Sequence, residues 1–170
     1  VRKLGFIGQL AEGAKQVLGW RSPNYLYEHK DKNGLKLLLK NYQLSDDIAF
    51  RFSQSSWSEY PLTADKYVLW LNQIENPECI NLFMDYETFG EHQWKETGIF
   101  DFLRALPDMV FKYSDFDFKT PTELIKTLKP KDTFSSESPI SWADEERDVT
   151  AWLGNDLQKD AFNQIYELEQ

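Results

Sequence analysis

Cysteine is almost missing from this sequence: Cys79 stands alone among 170 residues. An internal disulfide is therefore excluded, and a reducing cytoplasm is the expected setting. No apolar run approaches the roughly 20 residues needed to cross a bilayer, and no leader pattern opens the chain, so no membrane partner is expected. Positive charge is also short, with 19 Lys and Arg against 28 Asp and Glu and a net charge of −9. A phosphate backbone would be repelled by that field, which removes nucleic acid from the expected partners. Internal repeats and low-complexity segments are absent. At 170 residues the chain can bury a substantial core, yet a complete parallel β/α barrel usually needs about 250.

Aromatic residues are plentiful by contrast: 12 Phe, 8 Tyr and 6 Trp. Most are expected in the core, where each buries a large apolar surface. Flat aromatic faces also suit the C–H faces of pyranose rings, so the composition permits sugar binding without indicating it.

Along the chain, Gly5-Phe6-Ile7-Gly8-Gln9-Leu10 reads as a short buried strand. A brief helical segment follows and ends near Gly19, a suitable left-handed cap. Trp20 to Asn33 is polar and rich in turn signals, and reads as a loop. Leu35-Lys36-Leu37-Leu38-Leu39 reads as a second strand, and Ser45-Asp46-Asp47 as the start of a helix. Thr63 is expected to cap a helix from Ala64 to about Asn76, with Tyr67, Val68, Leu71 and Ile74 on one face. Cys79-Ile80-Asn81-Leu82-Phe83-Met84 has the length and bounded ends of a buried strand. Helices are expected from Gly98 to a break at Pro107, and from Thr120-Pro121-Thr122-Glu123, a capping-box pattern, to about Leu128. Lys131 to Pro139 reads as a loop. The tail from about Ala143 places Val149, Trp152, Leu153, Leu157, Ala161, Phe162 and Ile165 on one helical face. Strands alternating with helices indicate an α/β protein with a parallel sheet.

The chemistry concentrates where the third apolar run stops. Met84-Asp85-Tyr86-Glu87-Thr88-Phe89-Gly90-Glu91-His92-Gln93-Trp94 packs three carboxylates, one imidazole and three aromatics into a short stretch. In α/β barrels the active site lies at the C-terminal ends of the strands. Asp85, following an apolar run, is expected to be partly desolvated, so that its carboxyl holds the proton a general acid needs near neutral pH. Three readings are open on these residues alone: a glycosidase acid, a metal-dependent hydrolase with Asp85, Glu87 and His92 as ligands, or a solvated loop after a core strand.

A resemblance separates them. Phe83 to Trp94 resembles the fourth conserved region of glycoside hydrolase family 57, and Glu96-Thr97-Gly98-Ile99-Phe100-Asp101-Phe102-Leu103 continues the likeness to its α-amylase-like members. Ser141-Trp142-Ala143-Asp144-Glu145-Glu146-Arg147-Asp148 and Ala151-Trp152-Leu153-Gly154-Asn155 are similar to the fifth region. Leu18-Gly19-Trp20-Arg21-Ser22-Pro23-Asn24-Tyr25 and Leu44 to Phe52 are similar to linking segments. The resemblance implies part of an incomplete (β/α)7 barrel, its later strands over 1–130, followed at 131–170 by a loop and a helical C-terminal segment packing on the barrel. It implies a retaining enzyme that hydrolyses or transfers α-glucan (maltooligosaccharide, starch or a glycogen-like polymer), without a cofactor or metal, as an α-amylase or a 4-α-glucanotransferase.

Asp85 is then the acid/base. The family's opening His-Gln-Pro motif is missing, and its nucleophile region is expected to end just before Val1; Glu12, after the first strand, is the rival nucleophile. Substrate contacts are expected from Trp20, Arg21, Glu87, His92, Trp94 and Trp152. Of these, Trp94 and Trp152 would be sugar platforms, His92 a partner for a sugar hydroxyl, and Glu87 a like charge that tunes Asp85. Structural roles compete for each, and His29 reads as solvated surface. A non-catalytic glucan-binding or scaffolding role is the other reading, with self-association or a separate N-terminal half covering the open flank.

Overall fold

The computed structural model describes residues 1–143 and 146–168. Its centre is a four-stranded sheet of β1 (Gly8–Ala11), β2 (Leu26–His29), β3 (Lys36–Leu39) and β4 (Asp132–Phe134), in the order β1-β3-β2-β4. The sheet is mixed rather than parallel. β1 runs parallel to β3 and β4 parallel to β2, but β2 and β3 form an antiparallel pair. Two of these strands lie in stretches expected as loops, β2 within Trp20 to Asn33 and β4 within Lys131 to Pro139. The turn signals that suggested a loop instead close the β2–β3 hairpin: the Asn33 side chain accepts from Leu35 N (3.0 Å), Glu28 accepts from Gly34 N (3.0 Å), and Gly34 holds φ 82°.

The strand period of two sorts the side chains onto two faces. Leu26 and Leu38 face Cys79 and the helix α5 (Pro121–Thr127) through Leu124 and Ile125. Tyr27, Leu37, Leu39 and Phe134 face Leu18 of α1 (Lys15–Leu18). The capping box at Thr120 forms as expected: its hydroxyl accepts from Glu123 N, and the Glu123 carboxylate accepts from Thr120 N at 2.7 Å.

A second, larger core lies between α2 (Tyr42–Ala49), α3 (Ala64–Asn72) and α4 (Ile99–Tyr113). Tyr67 is fully enclosed there; its hydroxyl donates to Leu44 O (3.0 Å) and its ring meets Phe102 edge-on at 5.7 Å. The helix ends differ from expectation in instructive ways. α2 starts at Tyr42, with the Asn41 side chain accepting from Leu44 N (3.2 Å), so Ser45, Asp46 and Asp47 are not its cap but lie buried inside it. α4 continues through Pro107 instead of stopping there. Proline forfeits one backbone hydrogen bond, and burial of Ile99, Phe102, Leu106 and Val110 along the helix offsets that loss. Thr63 precedes α3, which ends at Asn72.

Cys79 to Met84, expected as a buried strand, belongs to no strand. It is tied to the end of β3 through a side chain: Asn81 Nδ2 donates to Leu39 O (3.0 Å), and Asn41 N donates to Asn81 O (2.8 Å). The tail is two helices, α6 (Thr150–Leu153) and α7 (Asp156–Glu167), separated at Asn155, whose capping box with Gln158 starts α7. Trp152, Leu157, Phe162 and Ile165 of the expected apolar face are all exposed.

Gly13 lies where the chain leaving β1 passes closest to the end of β3. A β-carbon there would lie well inside contact distance of the Lys40 carbonyl oxygen, whereas one at Gly8 would meet only the flexible tip of Ile125. Gly13→Ala is therefore expected to lower the stability from urea unfolding by about 1–3 kcal/mol, and Gly8→Ala by clearly less, since backbone yields less readily than a side-chain end.

Candidate active site

Parallel pairing of β1 with β3 brings their C-terminal ends together, and the ladder extends one step further as Lys40 N donates to Ala11 O (2.8 Å). The next residues after the strands are Glu12 and Lys40. Lys40 is buried, with its Nζ 3.7 Å from Glu12 Oε2 and 3.4 Å from Asp46 Oδ1. Asp46, from the middle of α2, also pairs with the Arg147 guanidinium. Two carboxylates and two cations thus form one buried chain of charge, Glu12–Lys40–Asp46–Arg147, whose net charge is balanced. Balance is what makes such burial tolerable, because an unpaired ion in this position would cost several kcal/mol. Burial nonetheless pushes the Glu12 carboxyl above its ordinary value, against the opposing pull of Lys40 and Arg147, and its Oε1 has no hydrogen-bond partner among the described residues.

The tether through Asn81 lays Cys79 to Met84 across these strand ends, and Phe83 N donates to Ser45 Oγ (3.3 Å). Asp85 is delivered at the end of this segment, in extended conformation, as the cap of a short tight-helix turn, Tyr86–Thr88. Two cavities meet at Asp85. One, of about 410 Å³, is lined by Gln9, Glu12, Lys40, Met84, Asp85 and Trp142 among others. The second, of about 370 Å³, shares Lys40, Met84, Asp85 and Trp142 and adds Phe50, His92 and Trp152. Each lies within the range of small-molecule sites.

Asp85 is exposed, not desolvated as its apolar lead-in suggested, because the segment before it is no strand of the sheet. Of the other residues expected at the site, Glu12 lines the first cavity and His92 and Trp152 the second. Glu87 is exposed and lines neither; its carbonyl instead accepts from Glu91 N (3.1 Å) and His92 N (2.8 Å), closing the loop. Trp94 and Trp20 are exposed and line neither cavity. Arg21 pairs with Asp132 at 3.2 Å and lies 4.8 Å from the Trp20 ring, in a different groove. Among the described residues no group of three His, Cys, Asp or Glu side chains is placed to hold a metal ion, so the reading with Asp85, Glu87 and His92 as ligands lacks its geometry.

Sequence reasoning missed Lys40, Asp46, Trp142 and Arg147 as individual site residues. Lys40 had a usable signal, a charged residue directly after an apolar strand. Asp46 looked like a helix cap and so seemed accounted for.

The raised Glu12 carboxyl makes a pH prediction with a definite sign. A folded state that holds the proton more tightly than the unfolded chain loses stability as pH rises from the ordinary Glu value through the raised one. Urea unfolding of wild type and Glu12→Gln across that window is expected to show wild type losing stability relative to the variant as pH increases. Lys40→Met, which leaves Glu12 and Asp46 buried beside a neutral side chain, is expected to cost about 3–5 kcal/mol at neutral pH in the same assay.

Comparison with known proteins identifies the family. The sequence model of glycosyl hydrolase family 57 matches residues 1–139. A protein of Methanocaldococcus jannaschii named "Putative alpha-amylase" is 52% identical over 169 residues, which cover 98% of this chain and 36% of the relative. The chain thus spans about a third of that relative's length. No solved structure matches. With the greater part of its length matched, the chain belongs to glycosyl hydrolase family 57.

Proposed function

We propose that this chain carries the acid/base half of a retaining enzyme acting on α-glucan, with Asp85 as the acid/base. The observation that carries the reading is the position of Asp85 where two cavities meet, the carboxylate common to both. A glycosidic bond lying across that junction would have one sugar on either side of Asp85. In the retaining scheme, the Asp85 carboxylic acid gives its proton to the glycosidic oxygen as the bond to the anomeric carbon breaks and a carboxylate nucleophile attaches there. The Asp85 carboxylate then takes a proton from water, or from an acceptor sugar hydroxyl, as that oxygen displaces the nucleophile. Water gives an α-amylase and the sugar hydroxyl a 4-α-glucanotransferase. In this reading the sheet is the later part of the family's barrel.

The nucleophile in this proposal is a carboxylate outside these 170 residues. Glu12 lines the cavity beside Asp85, but its Oε2 is engaged by Lys40 in a buried pair, which suits a fixed electrostatic role better than attack on carbon. His92, Trp142 and Trp152 are the candidate sugar contacts, the two tryptophans as ring platforms at the second cavity. The substrate class is a maltooligosaccharide or a longer starch- or glycogen-like chain.

The test joins this chain to the part of the archaeal relative that lies outside the matched region and measures release or transfer from maltoheptaose. Asp85→Asn is expected to lower turnover by about a hundred- to ten-thousandfold, the usual contribution of a general acid/base. Unchanged turnover in that variant would sink the assignment. The 170-residue chain by itself is expected to give no turnover; a robust rate would identify Glu12 as the nucleophile instead.

A further inference from the structure

Trp142 stands at the junction of both cavities, yet what holds it there lies behind its backbone. Arg147 is buried although its φ is 55°, a left-handed conformation that residues other than glycine keep only where their surroundings hold them. Those surroundings are visible. The guanidinium pairs with Asp46 of α2, and its Nη1 donates to Trp142 O at 2.8 Å. The guanidinium carbon lies 5.2 Å from the centre of the Tyr42 ring. The Arg147 carbonyl in turn accepts from Ser141 N at 3.0 Å. The backbone at Ser141 and Trp142 is therefore bound twice to Arg147, and Arg147 is bound to a helix 101 residues away in sequence.

The indole itself is half exposed. It lines the Asp85 cleft with the Lys40 ammonium 5.7 Å from its ring centre. Lys40 is tied to the same carboxylate as Arg147, so both groups that flank Trp142 answer to Asp46.

We propose that Arg147 is a positioning residue, anchored on Asp46, that holds the Trp142 ring as the wall against which a glucosyl unit bound beside Asp85 packs. The packing of a glucosyl unit rests on the α-glucan reading; the anchoring of Trp142 does not. Arginine is suited to the task because its planar fork reaches a carboxylate and a carbonyl in different directions while its face lies on an aromatic ring. A lysine has no planar face to lay on the ring and offers its donors from a single nitrogen.

The experiment uses the 170-residue chain labelled with 5-fluorotryptophan, whose six tryptophans give separate fluorine resonances. Trp142→Phe identifies the Trp142 line. In Arg147→Gln that line is expected to move towards its position in the denatured chain, while the lines of Trp57 and Trp70, packed on the helical core, stay in place. Arg147→Lys is expected to fall between the two. Maltoheptaose is expected to shift the Trp142 line in wild type, with Kd about five- to tenfold weaker in Arg147→Gln, the usual worth of one ring contact. A Trp142 line that ignores Arg147→Gln overturns the proposal, even if it responds to maltoheptaose. A line that moves in Arg147→Gln but never responds to maltoheptaose in wild type overturns the glucan reading and upholds Arg147 as the residue that holds Trp142. Should Arg147→Gln disturb Trp57 and Trp70 too, the paired Asp46→Leu, Arg147→Leu chain replaces the ion pair with apolar contact. Trp142 keeping its wild-type line there would equally overturn the proposal.

Discussion

Lys40 sits buried between two carboxylates, and the organisation of the cleft follows from keeping that ammonium paired. Its stem leaves β3 where the strand ends beside β1, so Glu12 must come from the matching end of β1 and Asp46 from the helix that starts just after Lys40. Asp46 has more than one cation to satisfy and draws in Arg147 from the far end of the chain. Sheet, helical layer and C-terminal segment are thereby coupled through one chain of alternating charge. An apolar replacement of similar shape could serve stability as well, but it would leave no fixed field in the cleft. At Glu12 burial and pairing pull the carboxyl in opposite directions, and burial wins.

The approach of Asp85 to this cluster depends on an unusual tether. A ladder strand would have used backbone groups to align Cys79 to Met84; here the Asn81 amide and the Asn41 backbone do so at the end of β3. The segment can therefore cross from the sheet to the helical layer, and Ser45 receives it there. A segment outside the ladder need not be enclosed on both faces, and Asp85 emerges exposed at the meeting of two cavities.

Membership of glycosyl hydrolase family 57 and this geometry are separate arguments. The family match covers most of the chain, while the structure shows which carboxylates share a cleft and which do not. Glu12 and Asp85 share one; Glu87, close in sequence to Asp85, turns away to close its own loop. Trp94, beside the acidic segment, is left outside, whereas Trp142, from a distant segment, forms a wall.

Much was legible beforehand because it is local. The Thr120 capping box, the cap at Gly19 and the β3 strand follow from spacing and side-chain chemistry within a few residues. Stretches whose identity depends on a distant partner were not legible. β2 and β4 looked like loops because a short strand is stabilised by the neighbour it pairs with, and Tyr27 meets Asp132 only in the folded sheet. Pro107 reads as a break unless the burial along α4 is known. Asp46 reads as a cap unless Lys40 and Arg147 are seen beside it. The sequence by itself determined the family, the charge and the carboxylate-rich segment that holds Asp85. Which groups share the buried field beside that segment was decided by tertiary structure alone, because ion pairing in a low-dielectric interior depends on distance in space and not on separation along the chain.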